Sequence, residues 1–161
     1  MAETTIVRKG ILNTDLAASI PPTVGAYIPQ QKARKEEIFS SDPQEYSYGP
    51  HERQKLDIFL PELAKNGSST KYPVFVFAYG GGLVRGDKRM APADGTLYGN
   101  VGQFFCSRGF VAVNLDYRLY GTHDAVFPSG GEDVALAVQY VIDNVKEADP
   151  SRVFLCGNSA G

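Results

Sequence analysis

The chain has no basic block, no long apolar run, and only 2 cysteines and 2 histidines among its 161 residues. Each shortage removes a class of function. With 16 Lys and Arg against 18 Asp and Glu, the formal charge is −2. No positive patch is available to neutralise phosphates, so nucleic acid is excluded as a partner. The longest uncharged strand-like run, residues 73–84, is too short to cross a bilayer and contains three glycines. The opening stretch, MAETTIVRKGILNTDLAASI, lacks a basic segment followed by an unbroken apolar one and does not read as a secretory signal. A soluble, cytoplasmic protein is expected. Cys106 and Cys156 supply neither a disulfide framework nor a zinc site. Both stand in apolar stretches and read as buried free thiols, and no metal or organic cofactor is implied.

What is present is ordinary for a globular domain: 43% hydrophobic and 21% charged residues, in a chain long enough for one domain with a real core. Residues 1–42 mix short apolar patches with Pro21-Pro22, Pro29 and a charged cluster at 32–37, and read as an irregular or partly helical arm. A single domain is expected over 43–161. It begins with two short strand candidates, EYSYG and KLDIFLP, separated by the polar turn at 49–53. The run Pro73–Tyr79 is continuously apolar, as suits a strand covered on both faces, and it empties into Gly80-Gly81-Gly82. A helix is predicted over 97–108, with Leu97, Val101, Phe104 and Phe105 on its buried face and Gly109 as its C-terminal cap. Residues 110–115 form a second buried strand. Ser129 and Glu132 have the spacing of a capping box. Val134, Val138, Val141, Ile142 and Val145 then mark an amphipathic helix that Asp149-Pro150 should end. Residues 152–156 read as a third buried strand, interior in a complete sheet but expected in this chain to keep a long, apolar, unpaired edge. Buried strands alternating with helices mean a mostly parallel sheet covered on both sides, whose ligands bind beyond the carboxyl ends of the strands. Both glycine-rich loops, 80–82 and 157–161, should open on that rim.

These loops carry the chemistry. Gly157-Asn-Ser-Ala-Gly161 is a Gly-x-Ser-x-Gly motif placed directly after a strand. Such an elbow holds its serine at a sharp, strained turn, and the flanking glycines let strand and helix approach closely. Triple glycine brings bare backbone amides up to a substrate carbonyl, where they can stabilise an oxyanion. A phosphate-cradling reading of 80–82 fails, because neither Gly-Lys-Ser/Thr nor dinucleotide glycine spacing follows.

Five blocks stand in order: YGPHERQKLDIFLP (48–61), YGGGLVRGDK (79–88), NLDYRL (114–119), FPSGGEDVALAVQYV (127–141) and DPSRVFLCGNSAG (149–161). On these blocks the chain resembles the α/β-hydrolase fold, specifically hormone-sensitive-lipase-like carboxylesterases and the neighbouring small esterases and formamidases. The resemblance implies the N-terminal half of that fold, cut off after the nucleophile-elbow strand. It makes Ser159 the nucleophile and the amides of Gly81, Gly82 and Ala160 the oxyanion donors. Tyr79, Gly80, Gly157 and Gly161 shape the site, while Asp116, Tyr117 and Arg118 hold the loop beside it. Tyr79 stands where the family usually has histidine, which bears on loop geometry. Leu83 stands where an aromatic residue is common, which bears on the acyl pocket.

A serine needs a base and an orienting carboxylate, and in this fold both follow the serine along the chain. Only Ala160 and Gly161 follow Ser159 here. His51 reads as a turn residue and His123 as a substrate-edge or structural residue. Asp87, Asp116 and Asp133 are no better placed for the triad. The expected substrate is a small-molecule ester or amide, and the fragment alone is expected to be inactive until a missing C-terminal segment or a completing chain joins it. Left open are a formamidase or amidase activity, a non-catalytic small-molecule binder on the same fold, and a product with no independent function.

Overall fold

The computed structural model describes residues 15–66, 69–122 and 124–161. In chain order the elements are α1 (Leu16–Ala33), α2 (Lys35–Ile38), β1 (Gln44–Ser47), β2 (Lys55–Phe59), α3 (Glu62–Lys65), β3 (Tyr72–Ala78), a 3-10 turn (Ala91–Ala93), α4 (Thr96–Cys106), β4 (Val111–Leu115), α5 (Ser129–Asn144) and β5 (Ala148–Gly157). The strands make one sheet in the order β1-β2-β4-β3-β5. β3 runs parallel to both β4 and β5, whereas β2 is antiparallel to β1 and β4. The sheet is therefore mixed, with its parallel part formed by the three strands joined through α4 and α5. Ala78 is in register with Leu115 on one side and Gly157 on the other. The loops leaving β3, β4 and β5 consequently open on one rim.

The apolar runs make the centre. Leu56, Val74, Val76, Val111, Val113 and Leu115 are all at most 1% exposed, and burying each contributes roughly 1.5–3 kcal/mol. Phe105 of α4 stacks on Phe75 of β3. Ala137 and Val141 of α5 are buried against the same cluster, with Val134 and Val138 packed at its border.

Several local expectations are corrected. The stretch over 1–42, expected to be irregular or partly helical, is helical over 16–33 and 35–38, although Pro21, Pro22 and Pro29 lie inside the first helix and each withholds a ladder hydrogen bond. Asp15 opens this helix, its carboxylate accepting from Ala18 N at 3.2 Å. Residues 1–14 lie outside the described residues. In α4, Phe104 points outward and is 48% exposed, with the Arg108 guanidinium 3.5 Å from its ring centre. Val101 and Phe105 of the expected face do pack against the core. The buried residues of α4 are Thr96, Gly99, Gly102 and Cys106, with Gly102 set against Phe59 of β2 and Gly99 against Phe39 too closely for a side chain. Gly109 does lie past the helix end in the left-handed region, at φ 81, its amide donating to Cys106 O at 3.0 Å. The capping box at Ser129 and Glu132 does not form. Pro128 is the cap residue, and Ser129 Oγ accepts from Val126 N at 3.2 Å. α5 stops at Asn144 because Val145 turns extended (φ −100, ψ 98). Asp149 and Pro150 lie within β5, not at the helix end.

The unpaired apolar edge expected at β5 is present: among the described residues the strand pairs with β3 alone, leaving Phe154 53% and Leu155 62% exposed. Cys156 is exposed as well, and only Cys106 is a buried thiol. A strand's burial is decided by what covers its faces and its second edge, which its own apolarity does not reveal.

The α4–β2 contact supplies a stability test. A Cβ at Gly102 would sit 2.4 Å from Phe59 Cε2, and Phe59 is 1% exposed. Gly102→Leu should destabilise the fold by about 1–3 kcal/mol through overpacking, read as a lowered Tm. An unchanged Tm would show that α4 can slide away from β2.

Candidate active site

The end of β5 turns sharply. Ser159 adopts φ 55, a left-handed conformation that a side chain bearing Cβ resists and that tertiary structure must hold. Two glycines make the turn possible. A Cβ at Gly157 would meet Gly161 C at 2.2 Å, and a Cβ at Gly161 would meet Ala78 O at 2.2 Å. The elbow is tied to the end of β3 by Asn158 N, which donates to Ala78 O at 3.0 Å, and closed by Gly161 N to Asn158 O at 2.9 Å. Ser159 is exposed.

The glycine loop after β3 lies against this elbow. A Cβ at Gly80 would stand 2.7 Å from Asn158 O and 2.9 Å from Ser159 Cβ, so only glycine permits the approach. Gly82 and Leu83 follow at φ 66 and 64. Among the described residues, the amides of Gly81, Gly82 and Ala160 donate to no acceptor, and Ser159 Oγ has no hydrogen-bond partner. Unsatisfied donors beside a hydroxyl on an exposed rim form an arrangement able to receive a developing negative charge. Beside Ala160 opens an apolar cavity of about 370 Å³, lined by Leu83, Tyr117, Tyr120, Phe127, Pro128 and Val134 among others.

A polar frame surrounds the loop. Tyr79 is 1% exposed and stacks on Tyr117 with ring centres 4.7 Å apart. Its hydroxyl donates to Gly86 O at 3.1 Å and accepts from Arg53. Tyr117 Oη donates to Tyr79 O at 2.7 Å. Asp116 accepts from Lys88 N at 2.6 Å, and its carbonyl accepts from Tyr48 Oη. Burial pushes the Asp116 carboxyl above its ordinary value, while Lys88 and Arg53 pull it back. The Lys88 ammonium, 4% exposed, lies 2.5 Å from Glu45, 3.4 Å from Asp57 and 3.7 Å from Asp116. Arg53 and Lys88 were not singled out from the sequence. A cation at the end of a polar turn, or inside a glycine-rich loop, reads as solvated until the fold brings Asp116 and loop carbonyls to Arg53 and three carboxylates to Lys88.

Arg118 makes two short contacts to Asp133, Nη2 to Oδ1 at 2.8 Å and Nε to Oδ2 at 3.0 Å. Gln54 Nε2 donates to the same carboxylate at 2.7 Å. Asp133, 0% exposed, thereby joins α5 to the loop after β4 and to the turn before β2. Burial raises its carboxyl, but the Arg118 and Gln54 hydrogen bonds outweigh it and the net shift is downward. A depressed folded-state value means stability that is present above the unfolded carboxyl range and lost as pH falls through the folded one. Asp133→Asn should therefore lower Tm at neutral pH and flatten its fall in acid. A variant whose acid unfolding curve matches the parent's would refute this. Of the histidines, His51 accepts from Arg53 N through Nδ1 at 3.0 Å. His123 lies outside the described residues.

No helix of the described residues is long and apolar enough to cross a membrane. The fold is that of α/β-hydrolase esterases: a thermophilic esterase from Thermogutta terrifontis superposes with a TM-score of 0.62 at 23% identity, over 74% of this chain and 41% of that one. Among curated proteins, a probable isoprenylcysteine alpha-carbonyl methylesterase of Arabidopsis thaliana is 33% identical over 71% of this chain and 22% of its own length. A probable carboxylesterase of the same plant is 32% identical over 76% of this chain and 41% of its own. Esterase B1 of Culex pipiens is 32% identical over 70% of this chain. The chain thus spans between 21% and 41% of these relatives' lengths. The BD-FAE family model matches residues 56–161, which include all but the first residue of β2, the glycine loop and the elbow, and the chain belongs to that family.

Proposed function

We propose that the whole protein is a carboxylic ester hydrolase whose nucleophile is Ser159. The hydroxyl attacks the ester carbonyl carbon, the alcohol leaves, and water then cleaves the acyl-enzyme to release the acid and restore the serine. The amides of Gly81, Gly82 and Ala160 receive the oxyanion. The observation that carries this reading is the seating of Gly80 against Ser159, where not even a methyl group fits between loop and elbow. The relatives' names favour esters over amides.

The chain supplies the nucleophile and the oxyanion donors, and the base and its carboxylate come from the rest of the whole protein. Two observations support this. Ser159 Oγ has no partner among the described residues, and the outer edge of β5 is open, with Phe154 and Leu155 exposed. A further segment pairing on that edge would cover them and complete the sheet. The test compares hydrolysis of a short p-nitrophenyl ester by the whole protein, its Ser159→Ala variant and the 161-residue chain. Turnover by the whole protein and not by the chain is expected. Turnover by the isolated chain that disappears in Ser159→Ala would overturn the division of the site.

A further inference from the structure

We propose that Arg53, Tyr79 and Asp116 form a clamp that sets the glycine loop against Ser159, making all three positioning residues for the acyl-transfer step. The inference rests on reading the Gly81 and Gly82 amides as oxyanion donors, and it concerns how those amides are held.

The loop has little to hold it internally. Between Gly80 and Gly86 it is fixed by Val84 N to Gly81 O at 3.3 Å and, from outside, by Tyr120 N to Leu83 O at 2.8 Å. Three of its glycines have positive φ: 157 at Gly81, 66 at Gly82 and 102 at Gly86. Backbone of this kind loses much conformational freedom on being ordered, so the precision of the amides must come from anchors at the two ends.

Both ends converge on the same side chains. At the start, Tyr117 Oη donates to Tyr79 O at 2.7 Å, the carbonyl immediately before Gly80. At the far end, Gly86 O accepts from Tyr79 Oη at 3.1 Å and from Arg53 Nη2 at 3.0 Å. Arg53 also donates to Tyr79 Oη, and its Nε donates to Tyr117 O at 3.0 Å. Asp116 Oδ1 lies 3.4 Å from Arg53 Nη2 and accepts from Lys88 N, two residues beyond Gly86. The Tyr79 ring seals the arrangement, since a Cβ at Gly86 would sit 2.7 Å from its Cε2. One phenol therefore spans the loop, its backbone at the entry and its hydroxyl at the exit.

The electrostatics suit a fixed support. The Arg53 and Asp116 side chains are 16% and 13% exposed, so their contact is little screened, and the planar guanidinium fork holds its acceptors in set directions. Burial pushes the Tyr79 phenol far above its ordinary value. It remains a donor to Gly86 O throughout the pH range of an ester assay.

Tyr79→Phe keeps the ring and deletes the hydroxyl, and Arg53→Lys keeps the charge and deletes the fork. Both are to be made in the whole protein. Because small displacements of catalytic groups cost up to about 100-fold, each variant should lower kcat about 10- to 100-fold with KM changed less than about twofold. A trifluoromethyl ketone, which forms an oxyanion on the serine, should lose affinity in parallel with kcat. Adding the second substitution to the first should cost little more, since both act on Gly86 O. Folded variants with kcat and inhibitor affinity within twofold of the parent would overturn the clamp. So would a loss confined to Tm or KM. If Ser159→Ala retains turnover, the underlying hydrolase reading fails instead, and the two failures are told apart.

Discussion

Replacing Ser159 by alanine in the whole protein is expected to remove ester turnover by about 10⁴-fold or more, with substrate binding largely intact. The magnitude follows from what is lost. Without a nucleophile no acyl-enzyme forms, and only binding and oxyanion stabilisation remain to assist direct attack by water, a residue of catalysis that in related triads is about 10³–10⁴ over the uncatalysed reaction. The change should leave the fold alone, because alanine keeps the Cβ that Ser159 already holds at φ 55 and the lost hydroxyl has no partner among the described residues. The measurement is kcat and KM on a short p-nitrophenyl ester, with a thermal melt beside it. Full activity in the variant would remove Ser159 from the mechanism.

The second large effect is expected at Gly80, where alanine adds a single methyl group. That carbon would lie 2.7 Å from Asn158 O and 2.9 Å from Ser159 Cβ. Neither neighbour yields easily. Asn158 is bonded through its amide to Ala78 O, and β5 is paired to β3 from Val153 to Gly157. The loop must lift away from the elbow, carrying the amides of Gly81 and Gly82 with it. Losing one oxyanion donor costs about 10²–10³ in rate, so Gly80→Ala should lower kcat by that order while KM moves little. A variant with wild-type kcat would mean the loop amides do not serve the reaction.

Much of the architecture was legible because two periodicities and two punctuation marks are strong. The apolar run at 73–79, and the run at 110–115 interrupted only by Asn114, suit strands covered on both faces, and β3 and β4 are so buried. Glycine after each of two strands marks backbone that side chains cannot follow, and Gly80, Gly157 and Gly161 each face contacts under 3 Å. The errors share one cause. Phe104 and Cys156 read as buried on the strength of their own chemistry, yet both are exposed, Phe104 carrying the Arg108 guanidinium on its ring. Arg53 and Lys88 failed in the opposite sense, being charged groups that a single sequence reads as solvated.

Local chain chemistry by itself determined where strands run, where the backbone must bend, and that a serine stands at one of those bends. Those properties depend on sterics and hydrophobicity within a few residues, so they are written along the chain. The tertiary structure alone decided that residues 80 and 159 touch, and that Tyr79 reaches across to Gly86 with Arg53 and Asp116 behind it. Strand order and register bring residues distant along the chain to one rim, and no periodicity encodes which strand becomes whose neighbour.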